Sequence, residues 1–112
     1  MIRDRGSRYA VSAAPAIDAA EAKAFVRHLC TDRKFARATH HSWALLPTDQ
    51  QPIADDDGEA GAGAIIAQML VRAGLYNHVV VVTRWYGGKK LGGDRFRHVR
   101  DSVRILLKEL GL

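Results

Sequence analysis

Three stretches of this chain carry residue types that bind or react. Asp55-Asp56-Asp57-Gly58-Glu59 clusters four carboxylates in five positions. Such a box can hold Mg²⁺ or Ca²⁺, but it lacks the alternating ligands and distal glutamate of a calcium loop. At a helix start, the same carboxylates bond free backbone amides and favour the positive end of the dipole. They can also pair with Arg84 or Arg95. The second stretch is Gly87-Gly88-Lys89-Lys90-Leu91-Gly92-Gly93. Its glycines free backbone amides to face an anion, two lysines add charge, and a helix start follows. The order of a Walker loop and the G-x-G-x-x-G spacing are both absent, so nucleotide hydrolysis is not indicated, and an uncharacterised phosphate-handling enzyme at this turn stands only as a second alternative to a binding domain. The alternative is a tight turn in which glycine supplies positive φ and Asp94, as helix cap, fills the anion position itself. The third stretch is the ridge Arg97, Arg100, Arg104 and Lys108, whose spacing of three or four aligns them on one helix face. It can follow a phosphate backbone or simply be a solvated face. Trp85 and Tyr86 beside it can stack bases, although aromatics next to a buried strand are usually core.

Catalytic constellations are not legible. His28, His40, His41, His78 and His98 show no metal-ligand spacing, Ser42 and Ser102 lack a G-x-S-x-G setting, and Cys30 has no local activator. No catalytic residue, metal or cofactor is expected.

The elements that must position these residues follow from periodicity. Val79 to Val82 with Thr83 form a β-branched run typical of a strand buried on both faces. Phe96, Val99, Val103, Leu106, Leu107 and Leu110 give the next segment an apolar helical stripe. Upstream, Ser7 to Ala14 alternates as a strand. Asp18 and Glu21 form a capping-box-like start to a helix over about Ala19 to Thr31. Asp32 to Ala38 reads as a basic connector and Thr39 to Leu46 as a strand, with Trp43 and Leu45 on one face and Ser42 and Ala44 on the other. Pro47 to Pro52 is expected to be a mobile hairpin tip, with Ile53-Ala54 as a short third strand. A helix through Ile66, Met69, Leu70 and Ala73 stops at Gly74. The resulting order of strand, helix, two strands, helix, strand, helix predicts an α+β two-layer sandwich.

Of 112 residues, 47% are apolar and 26% charged, the balance of one ordinary globular domain spanning 1–112. No apolar stretch has membrane-spanning length, the first residues lack a secretion signal, and a lone cysteine fits a reducing compartment, so a cytoplasmic protein is expected. The net charge of +5 is uneven: Arg84 to Glu109 is strongly basic, Asp49 to Glu59 wholly acidic. That contrast suits a polyanion or an acidic partner, or ordinary solvated faces.

The acidic box with its small-residue helix, followed by VVVVTRWYGGKKLGGDRFRHV, closely resembles the IMPACT/YigZ family. Eukaryotic members share an R-W-Y-G-G-x-x-L-G-x-D-R-F pattern, here Arg84 to Gly88, Leu91, Gly92 and Asp94-Arg95-Phe96, and Ala38-Thr39-His40 also matches. Position 60 is Ala where many relatives have Pro. The resemblance runs from about Ser7 to Leu110. It implies a fold like elongation factor G domain IV and related ribosomal-protein domains, with a four-stranded sheet and helices on one face. It further implies a non-enzymatic domain in nutrient-stress translational control. In the eukaryotic relatives, regulation restrains an initiation-factor kinase by competing for that kinase's ribosome-associated activator, and actin monomers are also linked. The activator contact is attributed there largely to an amino-terminal RWD domain, which residues 1–112 are not expected to contain. Bacterial relatives suggest nucleic acid. The partners expected are therefore the kinase activator, actin, or ribosome and RNA. The contact surface expected comprises Asp55 to Glu59, Arg84 to Lys90, Gly92, Asp94, Arg95, Arg97, Arg100 and Arg104.

Overall fold

The computed structural model describes residues 1–112. In chain order the elements are β1 (Ile2–Asp4), β2 (Ser7–Pro15), α1 (Ala19–Leu29), α2 (Arg33–Ala36), β3 (His40–Leu45), β4 (Ile53–Asp55), α3 (Ala62–Ala73), β5 (His78–Trp85) and α4 (Asp94–Glu109). The sheet is antiparallel throughout, in the order β1-β2-β5-β3-β4. The valine run is its central strand: Val79 to Val82 are at most 2% exposed. Successive side chains on a strand point to opposite faces, and the valines divide accordingly. Val80 and Val82 meet Ile66 and Leu70 of α3 and Val99 and Val103 of α4. Val79 and Val81 meet Trp43, Leu45 and Ala22, with Phe25, Val26 and Leu29 of α1 packed alongside.

The α+β sandwich is thus present, with α3 and α4 forming the helical layer on one face. The shorter α1 covers part of the opposite face, because its own apolar stripe needs burial. The sheet has five strands rather than the four expected. The additional β1 is three residues long and includes Arg3 and Asp4, so no hydrophobic pattern announces it. Asp18 caps α1 as anticipated: its Oδ1 accepts from Glu21 N–H at 2.8 Å, while Glu21 Oε1 accepts from Ile17 N–H at 2.8 Å. The basic connector contains the single turn α2, capped by Asp32 accepting from Lys34 N–H. The turn between β3 and β4 is fastened at Thr48, which exchanges two hydrogen bonds with Asn77. Asp94 is not the cap of α4. It is the first helical residue, and its carboxylate reaches across to Arg5 in the β1–β2 turn. No helix is long and apolar enough to cross a membrane.

Candidate functional site

Strand register builds the site. Arg84 of β5 lies opposite Tyr9 of β2 and His40 of β3, so three side chains form one row across the sheet. The row faces the α3–α4 layer, and Glu59, in the loop entering α3, closes it from above. Arg84 Nη1 donates to both Glu59 oxygens, at 2.7 and 3.0 Å, with both residues almost wholly buried. His40 Nε2 lies 3.2 Å from Glu59 Oε2, and its Nδ1 lies 2.7 Å from the Asp57 carbonyl. Both contacts are hydrogen bonds only when the imidazole carries a proton on each nitrogen. Gly58 permits this approach: a Cβ there would stand 3.1 Å from the His40 ring, on a backbone at φ +84°. Arg84 also stacks between Tyr9 and Tyr86, its guanidinium carbon 5.4 and 5.6 Å from the two ring centres.

Outside this pair opens a cleft of about 470 Å³, lined by His40, Glu59, Arg84, Tyr86, Lys90 and Arg95 among others. Glu59 is its single carboxylate. A larger concavity of about 570 Å³, between the β3–β4 turn and Tyr76, holds no converging cations and one acid, Asp49. The chemistry therefore concentrates in the smaller cleft.

The acidic box is divided rather than acting together. Asp56 anchors the start of α3, its carboxylate accepting from Gly61 N–H at 3.0 Å and Gly63 N–H at 2.7 Å. Asp57 accepts from His41 N–H at 2.7 Å, and Asp55 from Asp57 N–H at 3.0 Å. Asp55 and Asp57 line a separate hollow beside Lys23 and Arg27 of α1. Only Gly58 and Glu59 reach the cleft. Of the glycine turn, Lys90, Leu91 and Gly92 line it, while Gly87, Gly88 and Lys89 are exposed nearby. Trp85 points to the other sheet face, where its Nε1 donates to the Lys34 carbonyl at 2.8 Å and its ring packs on Phe35. It is therefore core and cannot stack a base. The ridge runs away from the cleft: Arg97 pairs with Asp94 at 3.7 Å, Arg104 with Asp101 at 2.8 Å, and Arg100 and Arg104 edge a groove between α3 and α4.

Two polar clusters escaped sequence reasoning because their members are distant in the chain. Cys30 Sγ lies 3.4 Å from His41 Nε2, and His41 Nδ1 lies 3.0 Å from Thr83 Oγ1. The Phe35 carbonyl lies 3.0 Å from the same Nε2 and can only accept, so it competes with the sulfur for that nitrogen. The other cluster joins Asp4, Arg5, His98 and Asp94 where the β1–β2 turn meets α4. Hydrogen bonds from Arg5 and then His98 hold the Asp4 carboxyl at about 2, below its ordinary 3.8. Beneath it Tyr9, whose hydroxyl has no partner, is pushed up to about 12, chiefly by burial.

Asp4 gives a pH prediction. A carboxylate with a depressed folded pKa adds stability above its unfolded value and loses it as pH falls through the folded one. Asp4 should therefore support the fold fully above about pH 4 and cease to do so by about pH 2. Urea midpoints measured over that interval should fall less steeply for Asp4→Asn than for the parent chain. Parallel curves would show the contact to be inconsequential.

A model of the Impact N-terminal domain matches residues 5–107. Protein IMPACT of Mus musculus is 35% identical over 113 aligned residues, covering 96% of this chain and 36% of that protein. The chain thus spans about a third of the length of that relative. Among solved structures, the crystal structure of a hypothetical protein superposes with a TM-score of 0.84 at 30% identity, over 96% of this chain and 54% of that one. The two-domain translational regulator Yih1 superposes with a TM-score of 0.56 at 33% identity, over 95% and 43%.

Proposed function

This chain belongs to the Impact N-terminal domain family, and from that membership we propose that it is a binding domain of translational control. It acts by contact rather than catalysis, through the face that holds the cleft and the glycine turn. The observation that carries this reading is the arrangement of cations there. Arg84 is neutralised by Glu59, whereas Lys89, Lys90 and Arg95 stand beside it without ion pairs. Such a face suits an anionic partner of the translation machinery, either ribosomal RNA or an acidic protein surface. The kinase activator and actin expected from the resemblance belong to the protein class.

A binding role rather than catalysis is supported by the state of Glu59. Both its oxygens are engaged by Arg84, so it is not free to move protons on a substrate. No activated nucleophile lines the cleft.

Lys89→Ala with Lys90→Ala tests the reading. Both side chains are exposed, so the melting temperature should remain within about 1 °C of the parent. Co-sedimentation with ribosomes, or capture by a protein partner, should weaken by roughly tenfold at low salt. Binding that is lost on nuclease treatment marks RNA as the partner, and capture that survives nuclease marks an acidic protein surface; both should weaken as salt rises. Unchanged binding, or loss of fold and binding together, removes the surface role.

A further inference from the structure

We infer that the cleft is a receptor for a terminal phosphate, a phosphomonoester dianion carried on a small molecule or free in solution. This rests on the reading of the cleft as the contact face, and adds the chemistry of what enters it.

Charge, donors and space agree. Arg84 and Glu59 cancel within the wall, and Glu59 is the cleft's single acid. Lys90 and Arg95, on the same wall, form no ion pair. Two uncompensated cations match one dianion, whereas a phosphodiester carries a single charge and leaves one cation unpaired. Arg84 is only 6% exposed, yet its Nε has no acceptor, and neither has Nε of Arg95. Buried guanidinium N–H groups without partners are rare, and these two mark the cleft wall as a place where polar groups are incompletely satisfied. The loop adds donors: between Gly88 and Gly93 no backbone N–H makes a backbone hydrogen bond, and Lys90, Leu91 and Gly92 of that stretch line the cleft. The first amides of α4 do not add to them, because the Asp94, Arg95 and Phe96 N–H groups already donate to the Leu91, Gly92 and Gly93 carbonyls. A volume of about 470 Å³ accommodates a phosphate with one attached ring, and Tyr86 at the rim, 48% exposed, offers a ring face to stack it.

The test is an NMR titration of the isotope-labelled chain at constant ionic strength in chloride buffer. The probes are inorganic phosphate, adenosine monophosphate and, as diester, cyclic adenosine monophosphate. Saturable shifts of the Gly88, Gly92 and Gly93 amides are expected with the first two, and at least tenfold weaker binding of the diester. Lys90→Met and Arg95→Met should each weaken phosphate binding by roughly tenfold, with spectra otherwise preserved. Tighter binding of the nucleotide than of phosphate identifies a base on Tyr86, and equal binding identifies phosphate alone as the ligand; either result supports the site. Absence of saturation, equal binding of the diester, or indifference to Lys90→Met overturns it. Ribosome co-sedimentation of the Lys89→Ala, Lys90→Ala protein keeps the two readings apart. If lysine-dependent sedimentation persists without phosphate binding, the phosphate receptor fails and the contact face stands.

Discussion

Replacing Glu59 with alanine is expected to destabilise the fold by roughly 3–5 kcal/mol. Arg84 and Glu59 are 6% and 3% exposed, and Arg84 Nη1 donates to both carboxylate oxygens. Without the carboxylate, the guanidinium keeps its charge in a setting with little water and no replacement acid, since Glu59 is the only carboxylate lining the cleft. For a chain of 112 residues, that loss should lower the melting temperature by roughly 10–20 °C. Arg84→Met should also be costly, though less so, because His40 still faces Glu59. The informative comparison is Glu59→Leu with Arg84→Met together. A buried ion pair replaced by apolar groups of similar volume is often close to neutral, so the double variant should be more stable than the Glu59→Ala single. Urea denaturation of the set measures this. If Glu59→Ala costs about 1 kcal/mol or less, the pair behaves like a surface salt bridge and the account of a desolvated row fails.

How far this site can be read from the chain depends on separation along it. The four valines declare a two-faced strand without help, because the run admits no other burial pattern, and β5 is where they place it. Asp18 and Glu21 declare a helix start by local chemistry, and both hydrogen bonds form. The pairing of Arg84 with the acidic box was among the local alternatives, and Glu59 supplies it. What the chain does not disclose is register. Tyr9, His40 and Arg84 become neighbours only because β2 and β3 align on β5 at those positions. For the same reason His41 meets Thr83 unannounced, and Cys30 joins them from the end of α1. Asp94 shows the opposite error. A carboxylate before an apolar helix reads as a cap, yet Arg5, 89 positions away, offers a charged partner that local patterning cannot reveal. Trp85 reads from sequence as either rim or core. Strand alternation resolves it: Arg84 takes the cleft face, so Trp85 must take the other.

Gly87→Ala should destabilise the fold by about 3 kcal/mol, whereas Gly88→Ala, one residue on, should cost only about 1–2 kcal/mol. The two glycines differ in what surrounds them. A Cβ on Gly87 would fall well inside van der Waals contact of the Gly6 carbonyl and the Ser7 nitrogen. All of these are backbone atoms, so no side-chain rotation relieves the clash and the β1–β2 turn must move away from the end of β5. Gly88 has nothing within 4 Å, and its penalty comes only from its φ of +90°. The displaced turn is not a passive one. Ser7 accepts from Gly87 N–H at 3.2 Å and lies 3.4 Å from Arg84 Nη2, while Asp4 and Arg5 reach His98 and Asp94 on α4. Moving it should therefore loosen α4 from the sheet at the same time as it loosens the floor of the cleft. That coupling gives the prediction a second readout. In Gly87→Ala the carboxyl of Asp4 keeps Arg5, which moves with it in the same turn, but loses His98, the second of the partners that depress it, so the stability lost between about pH 4 and pH 2 should shrink in part. In Gly88→Ala the acid response should stay that of the parent despite the lower overall stability. Equal costs at the two positions, or an unchanged acid response in Gly87→Ala, would mean that the turn and the strand end do not constrain each other.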